Sequence, residues 1–275
     1  QFKRLNYKVN LSKVSNPFIV TNNYGLKVLD IKIDYIDPFK VSKKSASKFV
    51  RDSLNLAHKL GLNKNVAGII NCPIAKNLLG NGKIGVTEYL AKKCSINDKS
   101  EVMIIKNEKL MVSPITTHLD IKSVSKMINK NLITKKVKVI NKWYKKIYRK
   151  RPKLAILGLN PHNAELRHQS EEKKHIIPAI KSLKKSGINV DGPLVSDTIF
   201  IKDFKNYNLI VGMYHDQVLS PFKAMYKFDA INLTLGLKYI RTSPDHGIAK
   251  DKIMKKKSNP LSLLKCVNFI HKISK

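Results

Sequence analysis

Three histidines follow apolar segments of this chain, and their positions suggest a metal site. The apolar run 209–213 is typical of a buried strand, and the polar cluster Tyr214-His215-Asp216-Gln217 follows it directly. His118 ends the segment Ile115-Thr-Thr-His, and His162 follows the apolar run 154–159. Ligands bind at the carboxyl ends of strands in open α/β sheets. Three imidazoles that leave a position open for substrate would suit a catalytic divalent metal.

A single histidine is more often a structural residue than a metal ligand. Here the shared context favours the metal site, because each histidine has polar neighbours that can orient its ring. These neighbours are Thr116 and Thr117, Asn160 and Asn163, and Asp216 and Gln217.

Arg241 is the best candidate for binding an anionic ligand. Only six of the 53 basic residues are arginines, and this one stands just after a predicted strand. Its planar guanidinium suits a phosphate or a carboxylate. Lys223 and Asn232 precede it at even intervals, but a surface charge is an equally good interpretation of Lys223 in so lysine-rich a chain.

The segment Gly80-Asn-Gly82-Lys-Ile-Gly85 matches the GxGxxG pattern of dinucleotide-binding turns. That fingerprint must lie directly between a strand and a helix. A helical turn is predicted at 76–79, so a simple glycine-rich turn is the favoured interpretation.

Composition narrows the class of protein. A chain of 275 residues with 43% hydrophobic residues can form one large α/β domain or two smaller lobes. The net charge of +34 comes mostly from dispersed lysines, which argues against nucleic acid as the main partner.

No apolar run approaches the ~20 residues of a membrane span. The first residue is not Met, so we expect upstream residues to be missing. Three distant cysteines without a CxxC pair suggest a reducing cytoplasm.

Predicted strands alternate with predicted helices along the chain, which favours a mostly parallel sheet covered on both faces. Strands are predicted at 26–33, 66–71, 102–105, 109–112, 153–159, 188–190, 209–213 and 230–235. Helices are predicted at 42–61, 87–93, 121–133, 139–148, 171–185 and 261–273.

Five motifs together resemble the 4-hydroxythreonine-4-phosphate dehydrogenase family of pyridoxal-phosphate biosynthesis. Their order and spacing agree from about Leu26 to the C-terminus. The motifs are Thr116-Thr-His-Leu, Gly158-Leu-Asn-Pro-His, Gly192-Pro-Leu-Val-Ser-Asp-Thr, Met213-Tyr-His-Asp-Gln, and Asn232-Leu-Thr-Leu-Gly-Leu leading to Ile240-Arg-Thr-Ser-Pro-Asp-His-Gly.

The resemblance implies a role for particular residues. It assigns one divalent metal, zinc, magnesium or cobalt, to three histidines at a site shared by two subunits of a homodimer. It assigns substrate binding to four residues, of which the lysine is also our candidate for the catalytic base. The cofactor loop is assigned by analogy with the isopropylmalate relatives. The metal ligands are His118, His162 and His215; the substrate-binding residues are Thr87, Lys223, Asn232 and Arg241; the cofactor residues are Asp245, His246 and Gly247.

The chain departs from the family pattern at three places. Val86 stands where the family usually has a histidine before Thr87, so one substrate hydrogen bond is expected to be lost or replaced. The segment Asn163-Ala-Glu-Leu-Arg replaces the glycines that usually follow Asn-Pro-His. The family's N-terminal strand and its glycine loop are not found.

The implied fold is the α/β/α type of the isocitrate and isopropylmalate dehydrogenases, with residues 1–275 forming one unit of two interlocked lobes around a cleft. The implied reaction is NAD- or NADP-dependent oxidation of 4-phosphooxy-L-threonine in the cytoplasm, followed by decarboxylation to 3-amino-2-oxopropyl phosphate. Two alternatives stay open. One is a dehydrogenase for a related phosphorylated hydroxy acid such as threonate 4-phosphate, and the other is a weakly active remnant that binds polyanions.

Overall fold

The computed structural model describes residues 8–18, 25–80, 85–96, 100–253 and 258–274. The chain divides into two compact units, one of Gln1–Ala57 and Ile74–Gly85, the other of His58–Pro73 and Val86–Lys275. No helix within the described ranges is long and apolar enough to cross a membrane.

The smaller unit contains a short parallel strand pair. Strand β1 (Leu11–Lys13) pairs with β2 (Leu26–Val28). Strand β2 is shorter than the predicted strand 26–33, because a strand requires a hydrogen-bonded neighbour and β1 offers only three residues. Most of helix α1 (Lys43–Gly61) also belongs to this unit. The turn predicted at 76–79 is confirmed as a short 3-10 helix at Lys76–Leu78, and residues 81–84 of the glycine-rich segment lie outside the described part.

The larger unit is built on a mixed sheet whose described residues form eight strands. The strands are β3 (Ile69–Ile70), β4 (Val102–Lys106), β5 (Met111–Thr116), β6 (Leu154–Leu157), β7 (Val190–Leu194), β8 (Leu209–Tyr214), β9 (Ile231–Leu235) and β10 (Arg241–Pro244). Their order is β3-β10-β9-β4-β5-β8-β6-β7. The pairs β3/β10, β5/β8, β8/β6 and β6/β7 are parallel, and the pairs β10/β9, β9/β4 and β4/β5 are antiparallel.

Both faces of this sheet are covered, as the sequence predicts. Leu209, Val211 and Met213 of β8 point into one core layer, while Ile210 points into the other. Successive side chains of a strand face opposite sides of a sheet. A strand that is buried on both faces is therefore apolar at every position, which explains the continuous apolar run of β8.

The described helices of the larger unit are α2 (Val86–Lys93), α3 (Ile121–Met127), α4 (Lys130–Tyr148), α5 (Ile177–Lys185), α6 (Ser196–Ile199), α7 (His215–Tyr226) and α8 (Leu261–Ser274). Helices α4, α5 and α8 contribute to the first core layer, and α6 and α7 contribute to the second.

The sequence analysis predicts no helix at the positions of α6 and α7. Two predicted helices have boundaries that differ from the structure for local reasons. The predicted helix 121–133 is divided between α3 and α4, because the Asn129 side chain accepts a hydrogen bond from the Leu132 amide at 2.9 Å and starts a new helix. The predicted helix 171–185 begins with a π turn at Glu172–Ile176 before α5. Pro178, which has no N–H to donate, lies two residues after this π turn, near the start of α5.

Candidate active site

The ends of three neighbouring parallel strands carry the predicted histidines. Strands β5, β8 and β6 lie side by side and run in the same direction. Their carboxyl ends therefore lie at one edge of the sheet, followed by His118, His215 and the segment that contains His162. This is the edge at which open α/β sheets bind their ligands.

Two buried polar side chains tie these strand ends together. Thr116 at the end of β5 donates its hydroxyl to the carbonyl of Met213 on β8 at 2.8 Å. The Gln217 amide oxygen accepts the Met213 N–H at 2.6 Å, and its NH₂ group donates to the carbonyl of Gly158 at 2.7 Å, just beyond β6. These hydrogen bonds therefore fix the relative positions of the three strand ends that precede the histidines.

His118 and His215 come together within a single chain. Their ring centres lie 6.0 Å apart, with the ring planes tilted by 34°. The Nδ1 atom of His215 is 2.7 Å from a carboxylate oxygen of Asp216, and the Nδ1 atom of His118 is 3.6 Å from Oε1 of Glu88. Carboxylates commonly orient metal-binding imidazoles in this way, which makes the Nε2 atoms the candidates for metal ligation.

This pair fits a shared metal ion. Metal–nitrogen bonds of about 2.0–2.1 Å would place the centres of two imidazoles on one ion roughly 5–6 Å apart. The observed separation of the two ring centres, 6.0 Å, is at the upper end of that range. Imidazole nitrogens also suit the divalent transition metals.

His162 does not join this pair within one chain. Its Nε2 atom lies 3.8 Å from Asp197, and the side chain is 71% exposed. Within the described ranges, no group of three or more His, Cys, Asp or Glu side chains is arranged to hold a metal ion. One chain therefore brings together two of the three predicted ligands.

The loop that carries His162 has an unusual backbone. Residues 162–166 all have φ between 48° and 58°, which is the left-handed region. This conformation costs about 1–2 kcal/mol for a residue with a side chain. The buried carboxylate of Glu172 anchors the start of the loop, because its Oε1 accepts the N–H groups of Leu159 and Asn160 at 2.8 Å each.

Arg241 lies in a buried cluster with only neutral oxygen acceptors. The residue is 4% exposed. Its Nε donates to Oδ1 of Asn71 at 2.7 Å, and its Nη1 donates to the hydroxyls of Thr234 at 3.0 Å and Thr87 at 3.4 Å. Burial lowers the pKa of the guanidinium to about 10, so it remains charged near neutral pH. Among the described residues, no ion pair includes Arg241.

The sheet register explains this cluster. Arg241 lies opposite Thr234 in the antiparallel pair β10/β9, so the two side chains share one face. Asn232 is two residues from Thr234 and shares that face. Its buried Oδ1 atom has no hydrogen-bond partner within the described part of the chain. A buried acceptor without a hydrogen bond lowers the stability of the folded protein, and a ligand with a donor group would supply the missing bond.

The first turn of α2 joins the arginine cluster (Arg241, Asn71, Thr87 and Thr234) to the imidazole pair. Thr87 contacts Arg241, and the next residue, Glu88, lies beside His118. The sequence predicts Thr87 as a substrate-binding residue but gives no indication of Asn71 or Thr234. Asn71 is 170 residues away from Arg241 along the chain, so only the paired strands β3 and β10 reveal their proximity.

Lys223 and Asp245 form a second charged contact. The Lys223 ammonium group, on α7, donates to the carboxylate of Asp245 and to its backbone carbonyl, the latter at 3.0 Å. Burial raises the pKa of the Asp245 carboxyl above its ordinary value, although Lys223 acts in the opposite direction. The Asp245 N–H donates to the Ser262 hydroxyl at 3.0 Å. Asp245 thus faces Lys223, whereas His246 and Gly247 are exposed.

These features define an α/β protein in which a pair of imidazoles and a buried arginine that can bind an anion are linked through the first turn of α2. The family model of pyridoxal phosphate biosynthetic protein PdxA matches residues 2–270. The chain belongs to this family.

Individual relatives agree with the family. A 4-hydroxythreonine-4-phosphate dehydrogenase of Sulfurihydrogenibium sp. is 35% identical over 260 residues, which are 93% of this chain and 79% of the relative. A protein of Oceanobacillus iheyensis with the provisional name D-threonate 4-phosphate dehydrogenase is 34% identical over 232 residues, which are 82% of this chain and 68% of that protein.

A solved structure confirms the fold. The crystal structure of 4-hydroxythreonine-4-phosphate dehydrogenase from Klebsiella pneumoniae superposes with a TM-score of 0.85 at 28% identity. The match covers 98% of this chain and 84% of the other. The prediction of a mixed α/β fold of the isocitrate and isopropylmalate dehydrogenase type is confirmed.

Proposed function

We propose that this protein oxidises 4-phosphooxy-L-threonine in the biosynthesis of pyridoxal 5'-phosphate. The hydride on the carbon that bears the secondary hydroxyl passes to NAD or NADP, and the hydroxyl proton passes to a base. The resulting 3-oxo acid breaks its bond to the carboxylate and releases CO2. Protonation of the remaining enol gives 3-amino-2-oxopropyl phosphate. We expect this reaction to take place in the cytoplasm.

The observation that carries this proposal is the connection of the two clusters through α2. Within the described residues, the hydrogen-bond acceptors of the buried Arg241 are all neutral, so an anionic group of the substrate would add a charged acceptor. Thr87 touches this arginine, and Glu88 beside it reaches the imidazole pair. A substrate whose secondary alcohol lies a short distance from an anionic end suits such a site.

His118 and His215 would hold the divalent metal, either zinc, magnesium or cobalt. When bound, the metal supplies Lewis acidity that favours loss of the hydroxyl proton. Asp216 and Glu88 orient the two imidazoles, and Asn232 offers its buried carbonyl oxygen to a donor group of the substrate.

His162 would complete the metal site of a second subunit. Its side chain is exposed and separate from the other two histidines of its own chain. We therefore propose a homodimer in which His118 and His215 come from one subunit and His162 from its partner. Each subunit would be one α/β enzyme unit of two interlocked lobes.

Lys223 is the proposed base, and Asp245 supports it. A lysine must lose its proton before it can accept another from the substrate. The Lys223 ammonium group contacts the Asp245 carboxyl, whose pKa is raised by burial. His246 and Gly247 remain the candidates for cofactor contact, next to Asp245.

One assay tests the proposed function directly. Purified protein is incubated with 4-phosphooxy-L-threonine and either NAD or NADP, with and without a chelator, and reduced cofactor is followed by its absorbance. We expect reduction that the chelator abolishes and that added metal restores. Absence of turnover with every metal and both cofactors would reject the proposal.

A second substrate is favoured by one residue. Val86 opens α2 directly before Thr87, at a position where a histidine would offer a hydrogen-bond donor to the substrate. The provisional name of the Oceanobacillus relative supports threonate 4-phosphate as the alternative. Side-by-side turnover of the two substrates decides between them, and a higher kcat/KM for threonate 4-phosphate would reassign the activity.

A further inference from the structure

The guanidinium of Arg241 is held along one edge by Asn71, a residue to which no role is assigned above. The bond from Nε to Oδ1 of Asn71 is 2.7 Å long, the shortest that Arg241 makes within the described residues. Asn71 follows strand β3, which pairs with β10 and brings the amide to the start of β10. Since Asn71 and Arg241 belong to the same compact unit, one rigid sheet positions both.

The amide of Asn71 has a fixed orientation. Its NH₂ group donates to the carbonyl of Cys72 at 2.9 Å, and its backbone N–H donates to the carbonyl of Thr242 at 3.2 Å. The amide oxygen, rather than the nitrogen, therefore faces the guanidinium. An acceptor held in this way orients Arg241 without the mobility of a long side chain.

The neutrality of the acceptors matters as much as their position. A buried arginine is usually paired with a carboxylate, since an unpaired buried charge is costly. Here Asn71, Thr87 and Thr234 supply three neutral oxygens, and within the described residues these bonds engage Nε and Nη1 but not Nη2. Glu88 interacts with the guanidinium electrostatically, but no carboxylate among the described residues accepts a hydrogen bond from it, and Nη2 remains for a further acceptor.

We propose that Asn71 is a specificity-determining positioning residue, which orients Arg241 through a neutral oxygen and so preserves its charge for an anionic group of the ligand. The proposal rests on the proposed function for the identity of the substrate, but the preference for an anion follows from the cluster itself. A phosphate and a carboxylate share the required chemistry, and the experiment separates them.

The test compares Asn71→Asp with Asn71→Ala in the full chain. The first variant keeps the size of the side chain and adds a negative charge at 2.7 Å from Nε, whereas the second removes the acceptor and leaves the charge of Arg241 intact. Asn206→Asp is the matched control, because it adds the same charge at an exposed position outside the cluster. Circular dichroism verifies that every variant is folded.

The readouts are the Kd of inorganic phosphate by calorimetry and the separate values of KM and kcat. We expect Asn71→Asp to raise both the phosphate Kd and KM by roughly 10- to 100-fold, with a smaller change in kcat. Asn71→Ala should raise them by about 3- to 10-fold, since an orienting bond is lost but no charge is added. Asn206→Asp should match the wild type.

Binding of two different ligands shows which anionic group Arg241 binds. If Arg241 takes the phosphate, the Asp variant loses affinity for inorganic phosphate but not for 4-hydroxy-L-threonine, which carries the carboxylate alone. The opposite pattern assigns the carboxylate. Equal effects of Asn71→Asp and Asn71→Ala would overturn the proposal, as would a wild type that binds none of these anions. Phosphate binding without substrate turnover would instead reject only the proposed function.

Discussion

Thr87 and Glu88, consecutive residues in the first turn of α2, contact two different parts of the candidate active site. The Thr87 hydroxyl lies 3.4 Å from Nη1 of Arg241, and Oε1 of Glu88 lies 3.6 Å from Nδ1 of His118. Any change at the start of this helix therefore acts on the arginine cluster and on the imidazole pair together. Val86 immediately precedes both residues.

Val86→His should strengthen substrate binding. A histidine at this position offers a donor to an anionic substrate, and a hydrogen bond to a charged group contributes roughly 1.5–3 kcal/mol. We expect KM for 4-phosphooxy-L-threonine to fall by roughly 10- to 150-fold, with little change in kcat. Val86→Leu controls for side-chain size. An unchanged KM in the histidine variant would indicate that another residue already fills the role or that the substrate differs.

Glu88→Gln should weaken metal binding without abolishing it. The Glu88 carboxylate lies beside Nδ1 of His118 and can orient the imidazole, and loss of such a partner typically costs 10- to 100-fold in metal affinity. Competition with a chromophoric chelator measures this change. His118→Ala should lose the metal altogether, whereas Glu108→Gln, an exposed carboxylate in the turn between β4 and β5, should match the wild type. Equal metal affinities of Glu88→Gln and the wild type would exclude Glu88 from the site.

Stability should depend on Asp245 in the acid range. Burial raises the folded-state pKa of this carboxyl, so the folded protein binds its proton at a higher pH than the unfolded chain. The contribution of Asp245 is thus most favourable below the unfolded value of about 3.9 and is lost as pH rises through the folded value.

The difference in Tm between Asp245→Asn and the wild type should therefore increase from about pH 4 to pH 7. Calorimetric scans across this range measure it, with the exposed Asp203→Asn as a control. A constant difference would show that the Asp245 pKa is not raised in the folded protein.

The sequence predicts most of the strands and the ligand-bearing segments, because both depend on local patterns, but it predicts neither β1 nor β10, the strand that begins with Arg241. The continuous apolar run of β8 and the polar residues after it identify a buried strand that ends at the site. The shorter β2 and the break between α3 and α4 were missed. A strand needs a partner that the local sequence does not reveal, and the capping role of Asn129 competes with a helical periodicity that continues past it.

The sequence predicts two of the four residues of the arginine cluster. Arg241 stands out because arginine is rare in this chain, and Thr87 follows from the family resemblance. Asn71 and Thr234 carry no such signal, since their proximity to Arg241 depends on the pairing of β10 with β3 and β9. The separation of His162 from the other histidines also depends on a left-handed loop that no glycine in the segment 162–166 predicts.

Subunit complementation should reveal the shared metal site. If His118 and His215 come from one subunit and His162 from its partner, His118→Ala and His162→Ala proteins are each inactive alone. After mixing and exchange, half of the dimers are mixed, and each mixed dimer has one site with both lesions and one with none. Activity should then return to roughly a quarter of the wild-type value.

A mixture of His118→Ala with His215→Ala provides the matched control. These two rings lie 6.0 Å apart in one chain, so every site of a mixed dimer carries one lesion and activity should not recover. Mass spectrometry verifies subunit exchange in both mixtures. Recovery in the control but not in the first mixture would assign His118 and His215 to different subunits. Failure of both mixtures despite exchange would place all three ligands on the same chain.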